Sequence, residues 1–194
     1  TELGINYTSS SSVRLYLWSP GKQFCYVLGD FNNYQVDTAY FMNRTPDNNA
    51  FWIDITGLTP GQEYTFQYFI DGEIRTADPF SELILDPNND QWIPSVTYPN
   101  LPTYPTGKFT GIVTVIEPGA TQYQWQTNNF TKPDKKKLVV YELLIRDWVA
   151  RHDYQTIIDS LDYFERLGIN AIELMPINEF EGNESWGYNP SYHM

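Results

Sequence analysis

Few residues of this chain have the types and spacing to do chemistry. The stretch SWGYNP at 185–190 sets Trp186 and Tyr188 on either side of Gly187, beside Asn189 and Pro190. It follows neither a helical nor a strand period, so it reads as a loop that offers aromatic faces to a ligand. Ahead of it stand Glu142, Glu173 and Glu179. Carboxyl groups are candidates for acid–base work. Glu142 and Glu173 lie within apolar, strand-like runs and Glu179 lies on the loop that follows, so none is assigned that work. His193 is a lone histidine and reads as solvated. With two His and a single Cys, Cys25, there is no zinc-type spacing and no internal disulfide.

The elements that must position these residues fall into two kinds. From residue 13 to about 98 the pattern is of short strands. VRLYLW (13–18) alternates Val13, Leu15 and Leu17 against Arg14, Tyr16 and Trp18. FWIDI puts Phe51, Ile53 and Ile55 on one face, and YTFQYFI does the same with Tyr64, Phe66, Tyr68 and Ile70. Asp71-Gly72 after that strand is a hairpin signal. Strands at this spacing predict a β-sandwich. Residues 99–137 carry Pro99, Pro102, Pro105 and Pro118 and hold no period for long, apart from one possible strand in GIVTVIEPG. They are expected to form a connector that lies over other structure.

From residue 138 the pattern changes to α/β. LVVYELLI (138–145) is a nearly continuous apolar run, as in a strand buried on both faces. Asp153 is an N-cap for a helix whose apolar face carries Ile157, Ile158, Leu161, Phe164 and Leu167, and Gly168 stands where it stops. INAIELMPI (169–177) is a second apolar strand. Strand, helix and strand make a βαβ unit with parallel pairing. Such a unit cannot cover both faces of its own sheet, so further α/β structure is expected beside it.

Composition narrows the partners. The chain carries 24 acidic and 12 basic residues, a net charge of −12, which repels phosphate backbones and argues against nucleic acid. KPDKKK at 132–137 reads as a solvated linker. No apolar run reaches the length of a membrane span. The sequence starts at Thr1 and displays no signal peptide. It is expected to be secreted, periplasmic or on the cell surface if one was removed, and cytoplasmic otherwise.

VVYELLIRDW, the helix after it, and GINAIELMPINEFEGNESWGYNPSYHM together resemble the first strand, first helix and second strand of the catalytic barrel in glycoside hydrolase family 13, the α-amylase family. The wording is nearest its branching-enzyme, isoamylase, pullulanase and neopullulanase side. VLGDFNNYQ, FWIDITGLTPGQEYTFQYFIDG and ADPF resemble the immunoglobulin-like domain that precedes such barrels, related to the family 48 glycogen-binding modules. The implied fold is an N-terminal all-β immunoglobulin-like sandwich (1–98), a connector (99–137), and the first β-α-β unit of a truncated (β/α)8 TIM barrel (138–194). A complete barrel takes about 250 residues. The chain is therefore expected to be the N-terminal fragment of a longer enzyme.

The resemblance implies an α-glucan-active hydrolase or glucanotransferase with a retaining mechanism, acting on starch-, glycogen- or pullulan-type substrates. The alternative is a carbohydrate-binding module or a non-catalytic glucan-associated protein. By motif position Tyr188 stacks on the sugar at the cleavage subsite. A Tyr ring suits a pyranose, which presents a face of C–H groups. Trp186 is a second candidate contact. The family's Asp nucleophile, Glu acid/base, second Asp and substrate-binding His follow later strands, so no catalytic residue is assigned here and the fragment alone is expected to be inactive. In the sandwich, Tyr34 holds the aromatic position of the family 48 turn. Gln67 and Ile74 fall near positions that carry Lys and Trp in glucan-binding modules. That departure points to a domain that buttresses the barrel. No cofactor is implied. Calcium occurs in the family, and nothing in this sequence assigns it a site. An α-glucan is the implied partner, and no oligomeric state follows.

Overall fold

The computed structural model describes residues 2–192. The chain divides into two compact units. One runs to Asp90 and takes in Pro102–Gln122; the other comprises Gln91–Leu101 and Tyr123–Ser191.

The first unit is an all-β, immunoglobulin-like sandwich. One sheet has the order β1 (Gly4–Ser9), β2 (Ser12–Trp18), β5 (Ala50–Thr56), β4 (Asn43–Arg44). The other has the order β3 (Cys25–Gly29), β6 (Tyr64–Ile70), β9 (Val113–Ile116), β8 (Leu83–Leu85), with β7 (Ile74–Thr76) also on β6. All these pairs are antiparallel. The period-2 apolar faces predicted for β2, β5 and β6 meet in one core. Val13, Leu15, Leu17, Phe51, Ile53 and Ile55 pack with Phe66, Tyr68 and Ile70. Burial of such side chains stabilises the unit by about 1.5–3 kcal/mol each. Asp71 and Gly72 turn the β6–β7 hairpin with positive φ of 53° and 74°, and the Asp71 carboxylate accepts hydrogen bonds from Gln23 N and Phe24 N.

Two features of the sandwich differ from the sequence pattern. Strand β9 lies inside the stretch expected to be connector, and it pairs with both β6 and β8. It is buried at every position. Strand β6 is buried on its second face as well, including Thr65 and Gln67.

A polar network sits within this core. Buried Asp78 of the ADPF stretch accepts hydrogen bonds from Tyr68 Oη (2.6 Å) and Phe80 N (2.7 Å). Its own N–H donates to Thr114 Oγ1, which also contacts Ser81 Oγ. The network thereby ties β6 and β9 to the segment entering β8. Burial pushes the Asp78 carboxyl above its ordinary range, against the two hydrogen bonds it accepts.

In the second unit, β10 (Val140–Leu143) and β11 (Ala171–Leu174) pair in parallel, with Val140 beside Ala171 and Leu143 beside Leu174. The predicted single helix is two short ones, α1 (Tyr154–Asp159) and α2 (Leu161–Arg166). Asp153 caps α1 as expected, accepting from Thr156 N at 2.8 Å. The break falls at Ser160, whose hydroxyl donates back to Thr156 O and accepts from Trp148 Nε1. Such back-bonding bends helices. Leu143, Ile157 and Phe164 form a small core with Tyr141, Trp148 and Ile172 against it. The expected two-sided burial of the 138–145 run is not found. Leu138, Val139, Val140, Ile158, Leu161, Leu167 and Leu174 are each between 39% and 57% exposed. Among the described residues of this unit no further layer covers them.

Asp78→Ala should destabilise the chain by about 2–4 kcal/mol, because Tyr68 Oη and Phe80 N lose their acceptor in the core. Asp78→Asn should cost less. The stability that the raised carboxyl contributes is complete below the ordinary Asp range and is lost as pH rises through the raised folded value. The stability difference between the native chain and Asp78→Asn should therefore fall as pH rises above the ordinary Asp range. Urea titrations across that rise in pH check the sign.

Candidate functional site

Tyr188 and Trp186 stand in the loop that follows β11, and both rings are open to solvent, at 63% and 64% exposure. Gly187 between them has φ of +86°, and a Cβ there would lie 2.3 Å from Pro176 O. Only glycine lets the backbone approach so closely. Gly187 N donates to Ser185 Oγ at 3.0 Å, and Ser185 Oγ is bonded to Asn189 Oδ1. Arg146, from the segment after β10, donates through Nη1 to Ser185 O at 3.0 Å. Phe180 bridges to Pro190, and Ser191 N donates to Glu179 O at 2.7 Å. The loop is thus closed on itself and tied to the end of β10.

Glu142, set aside in the sequence as a strand residue, is the partner of Tyr188. The Tyr188 hydroxyl donates to Glu142 Oε1 at 3.1 Å. Glu173 is the register partner of Glu142 on β11, and its charge also acts on the Tyr188 hydroxyl. The hydrogen bond to Glu142 foremost, then desolvation and the charges of Glu142 and Glu173, raise the Tyr188 pKa above its ordinary value. The ring is held by its hydroxyl while its faces stay open, as a stacking platform requires. Spacing in the sequence could not pair these residues; only the parallel register does.

The residues around this loop behave differently. Trp148 is not part of this loop; its ring packs on Tyr141, Phe164 and Tyr163. Arg146 and Asp147 pair with each other at 3.1 Å. His193 lies outside the described residues. Among the described residues no group of three His, Cys, Asp or Glu side chains could hold a metal ion, and no helix is long and apolar enough to cross a membrane.

In the sandwich, Tyr34 sits half-buried in the turn after β3 with φ of 62°. Its hydroxyl donates to Asp30, whose other oxygen accepts from Thr65. Phe109 meets the ring edge-on at 4.8 Å, and Lys108 Nζ lies 5.7 Å from its centre. The sequence reasoning missed Lys108, a cation brought to the ring from the segment before β9. Gln67 offers nothing to a ligand. It is 1% exposed, and Nε2 donates to Thr110 O and Ile112 O. Ile74 is exposed, on the β7 edge.

A family model, carbohydrate-binding module 48 (isoamylase N-terminal domain), matches residues 2–89. The matched stretch spans the sandwich strands from β1 to β8 and includes Tyr34. Malto-oligosyltrehalose trehalohydrolase of Saccharolobus solfataricus is 33% identical over 119 residues, 61% of this chain and 19% of that protein. The 1,4-alpha-glucan branching enzyme GlgB of Cupriavidus pinatubonensis is 28% identical over 200 residues, 95% of this chain and 24% of that one. The fold matches pullulanase type I of Bacillus subtilis, solved with maltose, with a TM-score of 0.69 at 21% identity, over 99% of this chain and 27% of that one. These matches bear out the likeness to the N-terminal region of α-amylase-family enzymes. The chain spans less than a third of the length of each of them.

Gln67→Lys would place a cation at a sealed position. It should lower stability by about 2–4 kcal/mol, since the ammonium has no route to water. It should create no affinity for maltoheptaose. A thermal melt and a titration of the same variant check both outcomes.

Proposed function

We propose that this chain is the N-terminal part of an α-glucan-active α-amylase-family enzyme, with residues 138–194 as the opening β-α-β unit of its (β/α)8 barrel. The observation that carries the proposal is the exposed Tyr188 ring, held by Glu142 beside the C-terminal ends of two parallel strands. Barrel enzymes build their sites at those ends. The uncovered apolar surface of β10, β11 and the helices gives further strands and helices something to bury. Length points the same way, since the relatives extend well beyond the matched region.

In this enzyme Tyr188 stacks on the sugar at the bond being cleaved, and Trp186 is a neighbouring contact. The ring's negative face stabilises the cationic ring carbon that forms in a retaining glycosidase. Glu142 and Glu173 position the Tyr188 hydroxyl and take no part in bond cleavage. The paired carboxyl groups of the reaction come from later strands, so the 194-residue chain alone turns over no glucan. The second role, glucan binding by the sandwich, is favoured by one observation, Lys108 beside Tyr34. The turn's main role is structural, because Tyr34 is held at its hydroxyl and along its edge.

Two measurements test this. Incubated with soluble starch, glycogen and pullulan, the pure chain should release no reducing ends and change no branch content. In the full-length enzyme, Tyr188→Ala should lower kcat by about a hundredfold, a loss of about 3 kcal/mol at the transition state. Tyr188→Phe keeps the ring, loses only the bond to Glu142, and should keep most activity. A Tyr188→Ala enzyme with normal kinetics, or one whose loss merely follows its melting temperature, contradicts the platform role.

A further inference from the structure

A cleft of about 730 Å³ opens in the second unit, lined by residues from the segments that follow β10 and β11 and by the stretch beginning at Trp92. Its volume lies in the range of small-ligand sites. In a parallel sheet the carboxyl ends of the strands are where ligands bind. Trp92, Ile93, Pro94 and Phe180 give the cleft an apolar wall, and Trp92 is 72% exposed. Opposite chemistry comes from Arg146, Asp147, His152 and Glu184.

The polar groups are arranged to bond a ligand. Arg146 spends Nε on Asp147 and one Nη1 proton on Ser185 O, which leaves further N–H donors. Asp147 keeps one oxygen, and Glu184 keeps its carboxylate, without a partner among the described residues. His152 Nδ1 meets the carbonyl of Arg146. A carbonyl only accepts, so Nδ1 carries a proton and Nε2 is left for a ligand. The loop that presents these groups is strained. Val149 and His152 have φ of 52° and 57°, an outlying conformation for a β-branched residue. Thr97 Oγ1 pins it by donating to Arg151 O at 2.9 Å.

An open indole, several donors and acceptors, and an excess of negative charge describe a neutral, polyhydroxylated ligand and disfavour a phosphate. We propose that this cleft is a sugar subsite in which Trp92 stacks against one glucosyl unit of an α-glucan. Arg146, Asp147 and Glu184 bond its hydroxyls. The proposal rests on the α-glucan function above and adds a contact that neither Tyr188 nor Tyr34 provides.

The test is a titration of the 194-residue chain with maltoheptaose, followed through indole and amide resonances, with cellohexaose in parallel. Maltoheptaose should shift Trp92, His152 and Glu184 saturably, and cellohexaose should not. Trp92→Ala should weaken this binding about tenfold or more, and Trp92→Phe, which keeps a ring, by less than about threefold. Trp92 is open to solvent, so neither change should move the melting temperature. Tyr34→Ala should leave the cleft shifts intact. Shifts confined to the Tyr34 turn overturn the subsite and leave α-glucan binding standing. A cleft that responds to cellohexaose and not to maltoheptaose overturns the α-glucan assignment itself. Unchanged affinity in Trp92→Ala overturns the role of that ring.

Discussion

Two parallel strands and a helical segment cannot bury both faces of the sheet they make, and most of the second unit follows from that constraint. Parallel sheets are stable where both faces are covered. Here β10 and β11 carry the residues of a two-sided strand, yet Val140 and Leu174 face solvent. The helices show the same mismatch. Ile157 and Phe164 reach the small core, and Ile158, Leu161 and Leu167 are left outside. The register that creates this unmet demand also sets Glu142, the partner of the Tyr188 hydroxyl, beside Glu173. Structure and site therefore depend on one pairing.

The sandwich has solved the corresponding problem. Its antiparallel sheets close one core around Val13, Leu15, Phe51, Phe66 and Tyr68. Strand β9 covers an edge of β6, and Gln67 seals the approach of residues 110–112 by donating to two carbonyls. Cys25 is fully buried within it, and burial pushes its thiol up to about 12, so it acts as a small apolar side chain.

Much of this was legible in the sequence where a period was strict. The alternation in β2, β5 and β6 named their core faces correctly, and Asp71-Gly72 marked its hairpin. The same local signals said nothing about β8, a three-residue strand, or about β9 as part of the sandwich, because a partner far along the chain decides those strands. The break at Ser160 was hidden for a related reason. Its hydroxyl bonds Thr156 and Trp148, and only the second contact comes from the fold. At the site, the aromatic loop was visible from its composition. The Tyr188–Glu142 bond, Lys108 beside Tyr34 and the cleft at Trp92 were not, since each joins residues that no sequence spacing connects.

Native-state hydrogen exchange on the 194-residue chain tests the central claim, that the β10–β11 unit is an uncovered part of a larger sheet. The amides of β5 and β6 should exchange only with global unfolding. Those of β10 and β11 should open locally and exchange faster by about a hundredfold or more. In the proposed longer enzyme the two sets should approach each other. Equal, full protection of β10 and β11 in the 194-residue chain would mean that the unit is complete as it stands, and would contradict the account.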